Sequence, residues 1–188
     1  MRARDNPFRS ERVEGLRYRP QGYSWDELWR RLEWLGYRCA IVGPEGSGKT
    51  TLLENLGEQL TREGRTVRWL RLNREQRSVP RDFSFDPGEI ILADGIEQLG
   101  AVKWHLFVRR ARRAGGLIIT IHTRGRLPTL LECTTSPELL RELVSELVDD
   151  EPILSADALY QKHSGNLRHA MGELYELYAE RETIGWSY

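Results

Sequence analysis

The stretch Gly43-Pro44-Glu45-Gly46-Ser47-Gly48-Lys49-Thr50 constrains this chain more than any other. It is a G-x-x-x-x-G-K-T pattern set between a short apolar run at 38–42 and a segment with helical spacing at 49–62. Each fixed position has a mechanical reason. Glycines at 43, 46 and 48 permit backbone turns that side chains block, and so turn successive N–H groups toward one anion. Lys49 extends over the β- and γ-phosphates of a nucleotide as a point charge, and the Thr50 hydroxyl is an oxygen ligand for Mg²⁺. The helix that starts there adds its positive end. The pattern predicts a phosphate cradle of Gly43, Pro44, Glu45, Gly46, Ser47, Gly48, Lys49, Thr50 and Thr51, with ATP and Mg²⁺ as its ligands.

The rest of the sequence supplies the frame that such a loop needs. Apolar runs at 66–72, 89–93 and 117–121 read as further strands, with 129–133 as a fifth. The run Leu117-Ile118-Ile119 has no polar alternation, as in a strand covered on both faces. Helical spacing appears at 24–35, opened by the capping box Ser24-Trp25-Asp26-Glu27, and across 95–114. The connection at 73–88 is long enough for a crossover between parallel strands. From Ser136 the pattern turns wholly helical. Ser136-Pro137 opens one helix, a break follows at Asp149-Asp150-Glu151-Pro152, Ser155 caps a second helix, and a third runs over 166–180. The expected fold is α/β, a P-loop NTPase fold with a mostly parallel central sheet, flanking helices and a small C-terminal helical lid. The expected division is an irregular basic arm at 1–22, an ATPase core at 23–135 and the lid lobe at 136–188.

A Mg²⁺ site also needs a carboxylate at the end of a neighbouring strand. Asp94, directly after Ile90-Ile91-Leu92-Ala93, stands there. It reads as a metal ligand acting through the ion's water shell, with helix N-cap as its other available role. Gly95 occupies the next position, so the acid that orients water must come later. Glu97 is that acid, as general base, or else a solvated glutamate in a first helical turn. The strand at 117–121 ends in Thr120, Ile121, His122 and Thr123. If it lies between the loop strand and the acidic strand, Thr120 and His122 fall near the γ-phosphate.

Arg109, Arg110, Arg112 and Arg113 crowd a helix C-terminus, where the helix dipole favours cations. Arg124 and Arg126 are arginine-finger candidates. Cys39 and Cys133 sit in or beside apolar runs and read as small core residues in a reducing compartment. His105, His163 and His169 lack companions at metal spacing, so zinc is not expected. Lysine plus arginine and aspartate plus glutamate number 28 each, so bulk charge points to neither nucleic acid nor membrane. No apolar run is long enough to span a bilayer and no secretory signal is read, so a cytoplasmic location is expected.

With loop, acidic strand, polar strand end and C-terminal helices in this order, residues 23–180 resemble the AAA+ superfamily of ATPases. The nearest likeness is to its STAND/NACHT-like and origin-recognition-like branches. Asp94-Gly95-Ile96-Glu97 is similar to the acidic motif of STAND ATPases, where a glycine follows the Asp and the second acid comes later. Ser164-Gly165-Asn166-Leu167-Arg168 resembles the lid-helix start of AAA+ proteins. The resemblance implies that Arg168 touches the γ-phosphate and closes the lid on ATP. STAND proteins carry long repeat and effector domains, and no such segments are read here.

The function expected from these signals is an ATPase switch that reports ATP or ADP to a separately encoded protein partner or to further copies of itself. A small-molecule kinase and a non-hydrolysing nucleotide-gated adaptor are the alternatives. The basic arm, with Arg2, Arg4, Arg9, Arg12, Arg17 and Arg19, reads first as a charged tail and second as a contact for nucleic acid or a partner.

Overall fold

Side chains two apart on a strand share a face, so an unbroken apolar strand must be covered on both sides. The computed structural model, which describes residues 6–148 and 154–183, realises this directly. In β1 (Arg38–Val42), Cys39 and Ile41 join one apolar cluster while Ala40 and Val42 join another. β3 (Glu89–Asp94) divides in the same way, with Ile90 and Leu92 on one side and Ile91 and Ala93 on the other. β4 (Gly116–Ile121) is buried along its whole length. β2 (Thr66–Arg71) and β5 (Thr129–Glu132) complete a five-stranded sheet in the order β2-β3-β4-β1-β5, with every pair parallel. The polar-ended strand β4 does lie between the loop strand β1 and the acidic strand β3.

The first cluster is covered by α2 (Trp25–Trp34) and α3 (Lys49–Arg62), through Leu28, Leu32, Leu52, Leu53, Leu56 and Leu60. α2 begins at the expected capping box. Ser24 Oγ accepts from the Glu27 amide at 3.2 Å, and Glu27 Oε2 accepts from the Ser24 amide at 2.8 Å. The second cluster is covered by α4 (Ala101–Ala111) through Trp104, Phe107 and Ala111. Val79, Phe83 and Phe85 from the crossover between β2 and β3 also pack on it.

The segment at 95–114 is not one helix. A single 3-10 turn (Ile96–Gln98) comes first, and α4 starts afresh after Gly100. Gly95 is left-handed at φ 73°, and Leu99 is extended, so helical geometry cannot run through. Ile96 and Leu99 are fully buried and hold the turn against the second cluster.

The chain divides into two compact units. One comprises Tyr18–Pro44 and Lys49–Cys133, and contains the sheet. The other gathers residues up to Arg17, the loop residues Glu45–Gly48 and the chain from Thr134 onward. Its core is built from α5 (Pro137–Leu147), α6 (Ala156–Lys162) and α7 (Leu167–Thr183), through Leu140, Val144, Leu159, Ala170, Met171 and Leu174. Ser136 and Ser155 cap α5 and α6 as their positions imply. The expected break at Asp149-Asp150-Glu151-Pro152 lies outside the described residues.

The stretch expected to be an irregular arm is ordered from Asn6 onward. It forms α1 (Ser10–Glu14), buries Phe8 and Leu16 in the helical unit's core, and stacks Phe8 edge-on against Tyr178. The Asn6 side chain donates to the Tyr175 carbonyl at 2.8 Å and accepts from the Phe8 amide. Between Phe8 and Leu16 the chain is mostly charged, so the two apolar residues stand without the repeated neighbours that would show a period, which is why the sequence hides this anchor.

Both cysteines are buried free thiols. Burial pushes the Cys39 thiol up to about 12 and also raises Cys133, which accepts a hydrogen bond from Tyr18 Oη at 3.2 Å. Such thiols stay protonated and inert at neutral pH. Among the described residues, no helix is long and apolar enough to cross a membrane.

Candidate functional site

β1 delivers the chain into the glycine-rich loop, and α3 begins at Lys49. Within the loop, Gly46 and Gly48 take φ of 73° and 85°, the left-handed region that L-residues avoid. Gly46 has a second constraint. A Cβ there would lie 2.0 Å from Asn166 Oδ1, so the loop tip admits no side chain while Asn166 holds its place. Asn166 in turn accepts from the His169 amide at 3.1 Å and opens α7. Lys49 is buried as a residue, and its ammonium donates to the Pro44 carbonyl at 2.6 Å. Ser47 is buried, while Pro44 and Glu45 are exposed and Thr51 is half-buried.

The carboxyl ends of β3 and β4 bring the acidic and polar candidates beside the first turn of α3. Asp94 Oδ2 accepts from the Thr50 hydroxyl at 3.0 Å, and Oδ1 accepts from the Thr120 hydroxyl. The Thr120 oxygen also accepts from the Gly95 amide at 3.1 Å. Asp94 is therefore not a helix cap. It closes β3, and Gly95 precedes the 3-10 turn. Thr120 is buried, with its hydroxyl committed to Asp94 and Gly95, so it orients the carboxylate.

Thr50 and Asp94 offer only hard oxygens, the donor set suited to Mg²⁺. Among the described residues, no group of three or more His, Cys, Asp or Glu could hold a metal ion. A divalent ion held by Thr50 and Asp94 would draw its remaining oxygens from phosphate and water, as Mg²⁺ sites do.

Glu97 projects from the 3-10 turn. Its Oε1 meets His122 Nε2 at 2.9 Å, and its Oε2 is buried without a hydrogen-bond partner among the described residues. His122 lies just past β4 and is more than a third exposed. The two are 25 positions apart in the chain, so no local pattern announces their pairing.

Gly95 makes this geometry possible. A Cβ there would sit 2.1 Å from the Leu72 carbonyl oxygen, in addition to the left-handed backbone. Gly95→Ala should cost about 3 kcal/mol, combining roughly 1–2 for the backbone with the overpacking. Thermal unfolding should then fall by about 6–12 °C in a calorimeter. An unchanged midpoint would show that the turn relaxes freely.

No family model matches this chain. No curated protein matches it. Among solved structures, a single-site variant of RuvB from Thermotoga maritima is similar, with a TM-score of 0.50 and 18% identity. The match covers 80% of this chain and 60% of that one. With the sheet order and the loop after β1, that likeness decides the architecture. The fold is that of a P-loop NTPase.

In P-loop folds of this layout, ligands bind at the carboxyl ends of the strands, where Asp94, Thr120 and His122 stand. The arginines are distributed differently from expectation. Arg124 pairs with Glu132. Arg126 donates to the carbonyls of Ile96 at 2.8 Å and Leu99 at 3.0 Å, so both finger candidates are engaged within their own chain. In the cluster at the end of α4, Arg110 stacks over Phe85, and all four arginines are exposed. The nearby carbonyls of Ala111, Arg112 and Ala114 are taken by Arg38. Sequence reading missed that contact, because nothing in a strand's first residue marks it as a helix C-cap. Arg168 lies exposed in the first turn of α7.

Proposed function

We propose that this chain is an ATP-binding, Mg²⁺-dependent ATPase of the AAA+ kind, acting as a nucleotide-dependent switch for a partner protein or for further copies of itself. The observation that carries this is the hydrogen-bonded series Thr50–Asp94–Thr120, with the Glu97–His122 pair beside it. It joins a phosphate-loop hydroxyl, a carboxylate with hard oxygens beside it and a second carboxylate with an unpartnered oxygen. Within AAA+, a STAND-like branch is supported only by the Asp94-Gly95-Ile96-Glu97 spacing.

In this reading the loop amides and Lys49 hold the β- and γ-phosphates of ATP. Thr50 and Asp94 would hold Mg²⁺, and the ion would supply neutralisation of phosphate charge. Thr120 fixes the Asp94 carboxylate. Glu97 Oε2 orients a water and takes its proton, while His122 keeps Oε1 in place. Arg168 reads the γ-phosphate, a role supported by the likeness of Ser164-Gly165-Asn166-Leu167-Arg168 to AAA+ lid helices.

The test is purified protein with ATP and Mg²⁺, assayed for phosphate release and, in parallel, for phosphate transfer to a panel of nucleosides and nucleotides. Release to water is expected. Transfer to an acceptor would make the chain a kinase, and tight binding without turnover would make it an adaptor. Arg168→Ala should lower turnover while leaving ATP affinity largely intact. Wild-type turnover in that variant would reduce Arg168 to a surface residue.

A further inference from the structure

Arg126 stands in the loop after β4, yet its side chain donates to the segment that carries Glu97. The 3-10 turn over Ile96–Gln98 is one turn long, and α4 begins its own hydrogen bonding at the Gly100 carbonyl, which accepts from Trp104. The Leu99 carbonyl, in extended backbone between the two, is continued by neither helix. Arg126 supplies what is missing. One terminal nitrogen donates to the Ile96 carbonyl and the other to the Leu99 carbonyl, so a single rigid fork spans the turn. Its guanidinium carbon lies over the Trp104 ring, 4.9 Å from the centroid, so the fork is held from the α4 side as well. Burial works against the Arg126 charge, and the nearby Glu97 carboxylate works in its favour.

We propose that Arg126 is a positioning residue for Glu97: it fixes the turn so that one carboxylate oxygen stays on His122 and the other stays unpartnered. The inference rests on the hydrolase reading above and assigns Arg126 a role within its own subunit. An arginine finger reaching another copy would have to abandon both carbonyls and the tryptophan face. A lysine at 126 would keep the charge but not the fork, since an ammonium is a point donor without a planar face. Charge alone and geometry are therefore separable.

The experiment compares wild type with Arg126→Gln and Arg126→Lys in steady-state ATP hydrolysis and in hydrogen exchange at the Gln98 and Leu99 amides. Those amides close the turn on Gly95 and Ile96 at 3.0 Å each. Both variants should exchange faster at these two sites. kcat should fall about 10- to 100-fold, the scale of an ångström-level misplacement, with KM for ATP little changed. Melting curves confirm that the fold persists, and the lysine variant guards against a glutamine variant that does not fold. Unchanged exchange at Gln98 and Leu99 overturns the positioning role whatever the activity. Faster exchange with unchanged kcat overturns it as well, as does full recovery of kcat by lysine, which would leave a purely electrostatic effect. A wild-type protein that does not hydrolyse ATP sinks the hydrolase reading instead, and amide exchange alone then decides whether Arg126 holds the turn.

Discussion

Glu97→Gln is expected to lower ATP turnover by about 10²- to 10⁴-fold, the range typical of a lost general base. Glutamine keeps the shape of the side chain and still offers His122 an oxygen, so the 3-10 turn and its hydrogen bond have no reason to move. What disappears is the ability of the second oxygen to take a proton. ATP affinity should therefore persist, and the variant should accumulate ATP-bound protein. Phosphate release under saturating ATP, read beside an equilibrium binding curve, separates the two quantities. Turnover equal to wild type would remove Glu97 from the chemistry. The pair with His122 would then be a surface contact, one partly exposed acid against one partly exposed base.

Lys49→Ala should weaken ATP binding by roughly 100-fold or more. A charged hydrogen bond contributes about 1.5–3 kcal/mol, and each 1.4 kcal/mol is a factor of ten in affinity. One lysine serving two phosphates therefore exceeds that threshold. The same substitution should affect ADP less, because only the β-phosphate contact is lost. Titration calorimetry with both nucleotides checks the difference. Undiminished ATP affinity would contradict the phosphate cradle itself, since Lys49 stands at the head of α3 with its ammonium held on the Pro44 carbonyl.

The sheet was legible because its signals are local. Ile90-Ile91-Leu92-Ala93 and Leu117-Ile118-Ile119 are dense enough in apolar residues to force burial on both faces, and the loop pattern fixes which strand leads into it. Asp94 was legible for the same reason, as the first polar residue after such a run. The way these residues are held together was not. Thr120 looked like a group facing phosphate, whereas its hydroxyl is taken by Asp94 and Gly95. Arg126 looked like a finger, and its donors are spent on two carbonyls about 30 residues upstream. These contacts join distant positions through the ends of adjacent strands, and no periodicity encodes them. The N-terminal anchor was hidden differently. Phe8 and Leu16 flank a helix of five residues, too short to display a hydrophobic period.

The phosphate-loop tip shares its compact unit with helices that begin about 90 residues downstream, and that has a consequence for how the chain is made. A polypeptide emerges N-terminus first, and domains fold as units as their parts become available. The sheet's residues are complete once Cys133 is out. Gly46, however, acquires Asn166 as its neighbour only after another 120 residues have been synthesised. Asn6 waits longer still, for a carbonyl 169 positions away. The glycine-rich tip is therefore among the last parts of the molecule to be seated, and a nascent chain carries the phosphate-loop sequence well before the tip has its final neighbours.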